Sequence, residues 1–344
     1  MTEKLLKILQ EWLAENKIEY KKDIQIKFNS WIKAGGVIKI YITPENIQEC
    51  SSLLKYLKNK KIAFYVLGNQ SNTIIRDGLI LTPIINLKNI NNFNFFDEKN
   101  GLKIEVGSGI SIPRFSKSLS KKGYTGAEGL LGIPGSIGGG ICMNASSYES
   151  YLSKYLVNVN LMDIEGNIFN LKKEELEFGW RKSLVKRTKF IILNCEFYFP
   201  KVNFIGENKT KEISLKIMNH RRLFQENNLP NLGSIFATKN IYKDLSKLSF
   251  TFLILYYFYK IGSVFYFNFN TKKIFKFRGF VILIYLKLLG LEKFYNFSSS
   301  SKTLNCLVNN GTTSTSNGIN FLKKFNEKTG KYLKIENIIL DDIH

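Results

Sequence analysis

The chain has 344 residues, of which 44% are hydrophobic and 23% charged. This composition excludes an intrinsically disordered protein, and the length excludes a small disulfide-stapled scaffold and predicts two or three domains. The formal net charge of +22 raises the question of a nucleic-acid or anionic-membrane partner. Because the basic residues are scattered along the chain and form no stripe, a solvated basic surface is the favoured interpretation.

The amino-terminal region predicts a small β-α-β unit. Residues 1–15 have the apolar spacing of an amphipathic helix and do not resemble an export signal. Residues 36–42 alternate like a strand, 44–59 have helical spacing, and 63–67 predict a second strand. The chain then enters residues 68–72 (GNQSN), a polar segment that predicts a loop.

Residues 126–148 form a second glycine-rich segment, with seven glycines, three of them consecutive. Such a segment is either a flexible linker or a backbone that approaches a ligand closely. Apolar residues such as Leu130, Ile133 and Ile137 alternate with the glycines. A linker would be polar, so the pattern favours a packed loop around a ligand.

The remaining elements are predicted to be short. Their predicted bounds are strands at 103–106, 157–162, 306–308 and 332–340, a turn entering a strand at 231–236, and helices at 214–224 and 318–328. Two further segments, 248–267 and 279–291, are rich in Phe, Tyr, Leu and Ile, but Lys260 and Lys287 interrupt them. The uncharged pieces are shorter than the roughly 18–20 residues of a spanning helix. Buried strands or helices of a third domain are favoured, with an interfacial amphipathic segment as the alternative.

Cysteine and histidine usage limits the chemistry. Four cysteines (Cys50, Cys142, Cys195 and Cys306) lie far apart without a C-x-x-C pair, which predicts free thiols in a reducing compartment and no zinc or redox site. Only two histidines are present, and His220 lies in a basic segment typical of a solvated helix face. We therefore expect neither a Ser-His-Asp triad nor a metal site.

The two glycine-rich segments together favour a bound cofactor. Each offers backbone N–H groups with few side chains, as a pyrophosphate requires. Neither contains the G-x-x-x-x-G-K-[ST] or the G-x-G-x-x-G pattern, so ordinary nucleotidase and Rossmann folds lose support. We expect a different dinucleotide-binding fold.

Six ordered motifs resemble one known family. They are VLGNQSN at 66–72, the glycine-rich segment at 126–148, WRKS at 180–183, GSIF at 233–236, the segment from Ser301 to Gly311, and LKIE at 333–336. In this order they resemble the UDP-N-acetylenolpyruvoylglucosamine reductases (UDP-N-acetylmuramate dehydrogenase, MurB), flavoenzymes of bacterial cell-wall synthesis. The match runs from about residue 29 to residue 339.

The resemblance implies an α+β fold, with a two-lobed FAD-binding module of the vanillyl-alcohol-oxidase (PCMH) type and a carboxy-terminal α+β substrate domain. The implied division is 1–84, 85–205 and 206–344. NADPH would reduce FAD, and the flavin would pass hydride to the enolpyruvyl double bond of a UDP-linked amino sugar. The implied protein is a cytoplasmic monomer that acts in peptidoglycan synthesis, and so in cell shape and division, with neither a membrane span nor a nucleic-acid partner.

The resemblance also assigns site residues. Arg181 would hold the substrate carboxylate, Ser234 would donate a proton to carbon, and Glu336 would assist it, because hydride addition leaves carbanion character beside a carboxylate. The implied cofactor-binding residues are Gly68, Asn69, Gln70, Ser71, Asn72, Gly126, Ile133, Pro134, Gly135, Ser136, Gly138, Gly139 and Asn144.

The sequence departs from the family pattern at several positions. Gln70 stands where glycine is usual, Trp180 where tyrosine is usual, and Thr303 where histidine is frequent. Ala237 and Thr238 follow the GSIF motif in place of Lys or Arg and Asn-Pro, and the segment 242–295 is longer and more aromatic than the family's connection. Two alternatives stay open: another FAD-dependent oxidoreductase of the superfamily, and a basic, non-catalytic protein that binds nucleic acid or a membrane surface.

Overall fold

The computed structural model describes residues 3–269, 271–295, 298–312, 314–330 and 333–340, the side chains of residues 266–272 excepted. The amino-terminal part forms a mixed sheet. Its elements are α1 (Glu3–Glu15), β1 (Tyr20–Gln25), α2 (Ile26–Asn29), β2 (Val37–Ile42), α3 (Ile47–Asn59), β3 (Tyr65–Leu67), β4 (Thr73–Ile75), β5 (Leu79–Ile80) and β6 (Ile84–Asn86). Strands β2 and β3 both run parallel to β6, so the predicted strand-helix-strand unit around α3 is confirmed.

Local sequence explains this unit. Strand β2 reads VIKIYI, and its alternating residues Ile38, Ile40 and Ile42 are fully buried, as the two-residue period of a strand requires. Helix α3 begins where the side chain of Asn46 accepts a 2.9 Å hydrogen bond from the N–H of Glu49, an N-cap that satisfies one free donor of the first turn. The buried leucines of α3 then pack into the same core as Ile40 and Ile42.

The middle of the chain forms an antiparallel sheet in the order β12-β11-β13-β8-β7. The elements of this part are β7 (Phe93–Glu98), β8 (Gly101–Gly107), α4 (Ile112–Lys121), α5 (Ile137–Cys142), β9 (Ser146–Ser147), β10 (Ser150–Tyr151), β11 (Leu156–Met162), β12 (Ile168–Lys172), α6 (Leu184–Arg187) and β13 (Ile191–Pro200). The predicted strands at 103–106 and 157–162 are confirmed as β8 and β11. Phe115 of α4 packs on Phe197 of β13, with ring centroids 4.9 Å apart, in the core of this sheet.

The carboxy-terminal part is mostly helical. It contains α7 (Glu207–Phe224), α8 (Ile241–Leu245), α9 (Phe250–Phe269), α10 (Thr271–Leu288), α11 (Thr315–Lys328) and β14 (Ile338–Leu340). The apolar segments predicted as buried strands or helices are the helices α9 and α10, which pack against each other. Their burial is incomplete, because several large apolar side chains of α9 are exposed.

Among the described residues, the strands predicted at 306–308 and 332–340 and the strand entered from the turn at 231–236 are isolated bridges or shorter than expected. Residues 231–236 and 306–308 form only isolated bridges, Asn231 with Val308 and Phe236 with Ile335. The predicted final strand shortens to β14, and Tyr332 lies outside the described residues. Single bridges suffice here because a large hydrophobic cluster, and not a sheet, holds these segments together.

Strand β14 joins the last described residues to the first lobe. It pairs in parallel with β4, Ile338 opposite Thr73 and Leu340 opposite Ile75. This pairing brings the LKIE segment beside the first glycine-rich loop. None of the helices in the described part of the chain combines the length and the apolarity that crossing a bilayer requires.

Candidate active site

A cavity of about 1090 Å³ lies between the two glycine-rich segments. We call residues 68–72 loop 1 and residues 132–140 loop 2. The loops face each other closely, since a methyl group built on Gly68 would lie 2.5 Å from Oγ of Ser136. Eleven of the thirteen predicted cofactor residues line the cavity: Gly68, Asn69, Gln70, Ser71, Asn72, Ile133, Pro134, Gly135, Ser136, Gly138 and Gly139.

In loop 2, the N–H groups of Gly138 and Gly139 already have hydrogen-bond partners within the protein. The glycines of this loop therefore serve mainly to allow close packing against neighbouring segments. The N–H of Gly138 donates to the carbonyl of Ser108 at 3.0 Å, and the N–H of Gly139 donates to Oγ of Ser136 at 3.3 Å. A Cβ atom at Gly138 would lie 2.9 Å from Cβ of Ser108. A side chain at Gly138 would therefore push loop 2 away from the neighbouring segment.

Gly126 and Asn144 do not line the cavity, and their cofactor-binding role stays a prediction. Gly126 donates its N–H to Glu128 at 2.8 Å, and a Cβ there would lie 2.6 Å from the ring of Tyr155. The side chain of Asn144 donates to the carbonyl of Gly179 at 3.0 Å. Both residues belong to the glycine-rich sequence, and the contacts described for them are with Glu128, Tyr155 and Gly179.

Asn144 instead holds the turn that carries Arg181. Gly179 and Lys182 exchange two backbone hydrogen bonds of 3.0 and 3.3 Å, and between them Arg181 adopts a left-handed conformation with φ +52°. Next to the turn, Oγ of Ser183 donates to the carbonyl of Cys142 at 2.7 Å. Contacts from Cys142 and Asn144, which follow loop 2, thus stabilise a strained backbone and fix the position of Arg181.

Arg181 and Glu336 form an ion pair at the cavity, with Nε of Arg181 2.8 Å from Oε1 of Glu336. Both side chains are largely buried. Burial raises the pKa of Glu336 above its ordinary value, although the positive charges of Arg181 and Lys186 oppose that rise. Burial also lowers the pKa of Lys186. The pair is a protected, partly desolvated charge site, and it lies on the wall of the cavity.

Ser234 reaches the same cavity from the carboxy-terminal part. The N–H of Glu336 donates to the carbonyl of Ile235 at 2.7 Å, so Glu336 and Ser234 lie on adjoining segments. The side chain of Asn305 accepts the N–H groups of Ile235 and Phe236, at 3.1 and 2.8 Å. The structure therefore brings the three predicted catalytic residues to one cavity from three separate regions of the sequence.

Sequence reasoning missed Arg221 and Gly132. Arg221 belongs to the segment interpreted as a solvated helix face, yet it is only 7% exposed and lines the cavity. Its Nη2 donates to Oγ of Ser147, whereas Nε and Nη1 have no hydrogen-bond partner among the described residues. A Cβ at Gly132 would lie 1.8 Å from Nη1 of Arg221. The signal was present in the sequence, since Gly132 opens the GIPG motif.

Gln70 shows how the first departure from the family pattern is accommodated. It keeps the left-handed conformation that suits glycine, with φ +56°, at a cost that a side chain normally avoids. Its side chain is buried near Tyr41, and its Oε1 has no hydrogen-bond partner among the described residues. Burial raises the pKa of Tyr41 to about 12, a rise that the contact with Gln70 opposes.

Unsatisfied polar atoms around the cavity fit a large polar ligand. Oε1 of Gln70, Oγ of Ser108 and two nitrogens of Arg221 are buried without hydrogen-bond partners among the described residues, a state that usually means a missing partner. They surround a space walled on two sides by glycine backbone. The residues present therefore fit a dinucleotide such as FAD. No group of three or more His, Cys, Asp or Glu that could hold a metal occurs in the described ranges.

Comparisons with known proteins agree with this geometry. The family model of the FAD binding domain matches residues 38–172. The UDP-N-acetylenolpyruvoylglucosamine reductase of Clostridioides difficile (strain 630) is 33% identical over 221 residues, 64% of this chain and 71% of that protein. The enzyme of the same name from Petrotoga mobilis (strain DSM 10674 / SJ95) is 31% identical over 224 residues, 63% of this chain and 71% of that protein.

Among solved structures, the crystal structure of UDP-N-acetylenolpyruvylglucosamine reductase from Thermus caldophilus matches with a TM-score of 0.65 and 18% identity. The match covers 94% of this chain and 99% of that one. The predicted α+β fold with an FAD-binding module is confirmed.

A cavity between two glycine loops, set in an FAD binding domain, defines an FAD-dependent oxidoreductase. The identity to two reductases over more than two thirds of their length narrows the class further. The chain belongs to the UDP-N-acetylenolpyruvoylglucosamine reductase family, whose members act in peptidoglycan precursor synthesis.

Proposed function

We propose that this chain reduces the enolpyruvyl group of UDP-N-acetylenolpyruvoylglucosamine to UDP-N-acetylmuramate, with NADPH as hydride donor. Family membership supports the reaction, and the ion pair of Arg181 with Glu336 at the cavity is the observation that carries the assignment of roles. Bound FAD would accept hydride from NADPH and deliver it to the substrate double bond.

We propose that the cofactor lies between loops 1 and 2. The bare backbone of Gly68 and Gly135 allows close approach of a pyrophosphate, and the side chains of Ser71 and Asn69 face the same space. Asn72 also ties loop 1 to the catalytic segment, because its side chain donates to the carbonyl of Glu336 at 3.3 Å. The binding of the cofactor and the placement of Glu336 are thus coupled through one residue.

Arg181 is proposed to bind the carboxylate of the enolpyruvyl group. A guanidinium group matches a carboxylate in shape and charge, and the turn at 179–182 holds this one rigidly. Arg181 would also stabilise the negative charge that develops on the carboxylate when hydride adds to the neighbouring double bond. Lys186, whose pKa burial lowers, adds positive charge nearby.

Ser234 is proposed to donate the proton from Oγ to the carbon that becomes carbanion-like. A serine hydroxyl is a weak acid, so it needs a strongly basic acceptor and a charged neighbour. Glu336 fits the neighbour's role, because its backbone lies beside that of Ile235. Burial raises the pKa of Glu336, and its ion pair with Arg181 places charged groups beside the proposed proton donor.

Arg221 is proposed to bind a phosphate at the cavity, on the cofactor or on the UDP group. Its two unsatisfied nitrogens are buried there, and a buried guanidinium that lacks a partner is costly unless an anion binds it.

We also propose the domain division 1–84, 85–205 and 206–344, a cytoplasmic location and a monomeric state.

The test separates the two half-reactions of the flavoenzyme. Ser234→Ala should leave reduction of the flavin by NADPH within about twofold, because Ser234 has no part in it. Reoxidation of the reduced flavin by the enolpyruvyl substrate should slow by about 10²- to 10⁴-fold, the usual contribution of a general acid. Stopped-flow absorbance of the flavin measures both rates.

Ser301→Ala is the matched control, since Ser301 is an exposed serine that does not line the cavity. It should match the unsubstituted protein in both half-reactions. A Ser234→Ala variant that reoxidises at the normal rate would reject Ser234 as the proton donor. If the enolpyruvyl substrate does not reoxidise the reduced flavin of the unsubstituted protein, the proposed reaction is wrong, and another FAD-dependent oxidoreductase activity is favoured.

A further inference from the structure

Helix α9 exposes an apolar face that the proposed reaction does not use. Ile254, Tyr257, Ile261 and Val264 recur at helical spacing, and their exposed fractions are 56%, 52%, 69% and 62%. Phe250 extends the same face, at 76% exposed, and Phe258, at 48% exposed, lies at its edge, where its ring contacts Phe277 of α10 at 5.4 Å between centroids. We call these six residues the outer face of α9. Contiguous exposed apolar patches of this kind mark interaction sites.

The opposite side of α9 is already occupied by the protein. Phe252 and Leu255 are buried in the carboxy-terminal core, and Gly262 lies so close to α10 that a Cβ there would meet the ring of Phe277 at 2.1 Å. A helix that is apolar on all sides is normally covered on all sides. Among the described residues, α10 and the core cover one side of α9, and the outer face is left open to a partner.

The charge around the outer face restricts the partner. Residues 245–291 include six lysines and one arginine, and no aspartate or glutamate. Lys260 is exposed beside the outer face, and on α10 the exposed residues Lys276, Phe280 and Lys287 recur along one side of the helix. The pair of helices therefore presents apolar side chains together with positive charge only.

A second copy of this chain is a poor match for that surface. Two outer faces in contact would bring the lysines of both copies together, with no acidic residue on either helix pair to neutralise them. A bilayer with anionic headgroups matches both properties, because the acyl region accepts the apolar side chains and the headgroups attract the lysines. The exposed tyrosine on the outer face also suits the interfacial region.

We propose that the outer face of α9, with Lys260, Lys276 and Lys287, docks this protein on the surface of a bilayer that contains anionic lipids. The helix would lie in the interface and would not span the bilayer, in keeping with the length and apolarity of the described helices. This surface is remote in sequence from Arg181 and from loops 1 and 2. A failure of membrane binding would therefore not contradict the proposed reaction, and a failure of the reaction would not contradict membrane binding.

Flotation of the flavin-loaded protein with vesicles tests the proposal. The unsubstituted protein should float with vesicles of phosphatidylcholine and phosphatidylglycerol, and at least about tenfold less with phosphatidylcholine alone. Ile254→Ser, Ile261→Ser and Val264→Ser together should weaken the binding at least about tenfold, with flavin content and NADPH oxidation retained. Val202→Ser with Leu215→Ser is the matched control, because these aliphatic side chains are 85% and 64% exposed elsewhere.

A charge variant provides a second test in case the triple variant misfolds. Lys276→Glu with Lys287→Glu changes only exposed side chains and should abolish the preference for anionic vesicles. Equal binding to both kinds of vesicle, or flotation that survives both sets of substitutions, would overturn the proposal. Sedimentation velocity tests the alternative that a second copy covers the outer face. If the unsubstituted protein is a dimer that does not bind vesicles, and the triple variant is a monomer, the outer face is a dimer interface.

Discussion

The cavity and the helix pair α9–α10 both depend on a glycine at a close approach, yet with opposite results. Gly132 leaves room for the guanidinium of Arg221, whose Nε and Nη1 are left without hydrogen-bond partners. Gly262 leaves room for the ring of Phe277, which fills the contact between two helices. In the first case the missing side chain creates a binding site, and in the second it completes packing. Glycine density alone therefore does not identify a site; the chemistry of the neighbour does.

The largest effect is expected for Gly132→Ala. The added methyl group would collide with Arg221, so the guanidinium must leave its place or loop 2 must move. Overpacking of this kind costs about 1–3 kcal/mol of unfolding free energy. The flavin should also be lost on purification, since loop 2 and Arg221 both line the cavity. Urea unfolding and the flavin-to-protein absorbance ratio measure the two effects.

Gly139→Ala is the control for this substitution. A Cβ at Gly139 would meet only Oγ of Ser136, at 3.5 Å, an ordinary contact. Its unfolding free energy without flavin should be unchanged or rise by up to about 1 kcal/mol, because alanine forms helix better than glycine. If Gly132→Ala retained both flavin and stability, Arg221 would not be fixed at the cavity as described.

A more restricted effect, on stability alone, is expected for Gly262→Ala. The methyl group would press on the ring of Phe277 and separate α9 from α10, at a cost of about 1–3 kcal/mol. Flavin content should be unchanged, because neither residue lines the cavity. Gly262→Ala is therefore expected to lose stability and keep its flavin, whereas Gly132→Ala at the cavity is expected to lose both. Flavin loss in Gly262→Ala would show that the two regions are coupled.

The smallest effect, with the opposite sign, is expected for Gln70→Gly. Relief of the left-handed conformation gains about 1–2 kcal/mol, and the greater freedom of glycine in the unfolded chain removes about 0.5–1 kcal/mol of that gain. Unfolding free energy should rise by up to about 1.5 kcal/mol. Gln48→Gly, at an exposed position within α3, should instead lower it by about 1 kcal/mol. Equal losses in both variants would mean that the side chain of Gln70 stabilises loop 1.

Much of the first two thirds of the fold was predictable from local pattern. Apolar residues alternate in β2 and recur at helical spacing in α3, and these are the residues that each element buries. This pattern depends only on the period of a strand or a helix, so it can be read from the local sequence. In the carboxy-terminal part, residues 231–236 look like a turn entering a strand, but they form only bridges. Packing among α8, α9, α10 and α11 replaces sheet pairing there, and such packing leaves no period in the sequence of the segments it holds.

The sequence alone determined the chemistry that was available: two glycine-rich loops, an arginine, a serine and a glutamate in a fixed order, and almost no histidine. Only the tertiary structure decided which of them meet. Pairing of β14 with β4 brings Glu336 to loop 1, the turn held by Asn144 brings Arg181 to Glu336, and the packing of α7 brings Arg221 against Gly132. These contacts join residues distant in the chain, so their geometry depends on packing that local sequence does not encode.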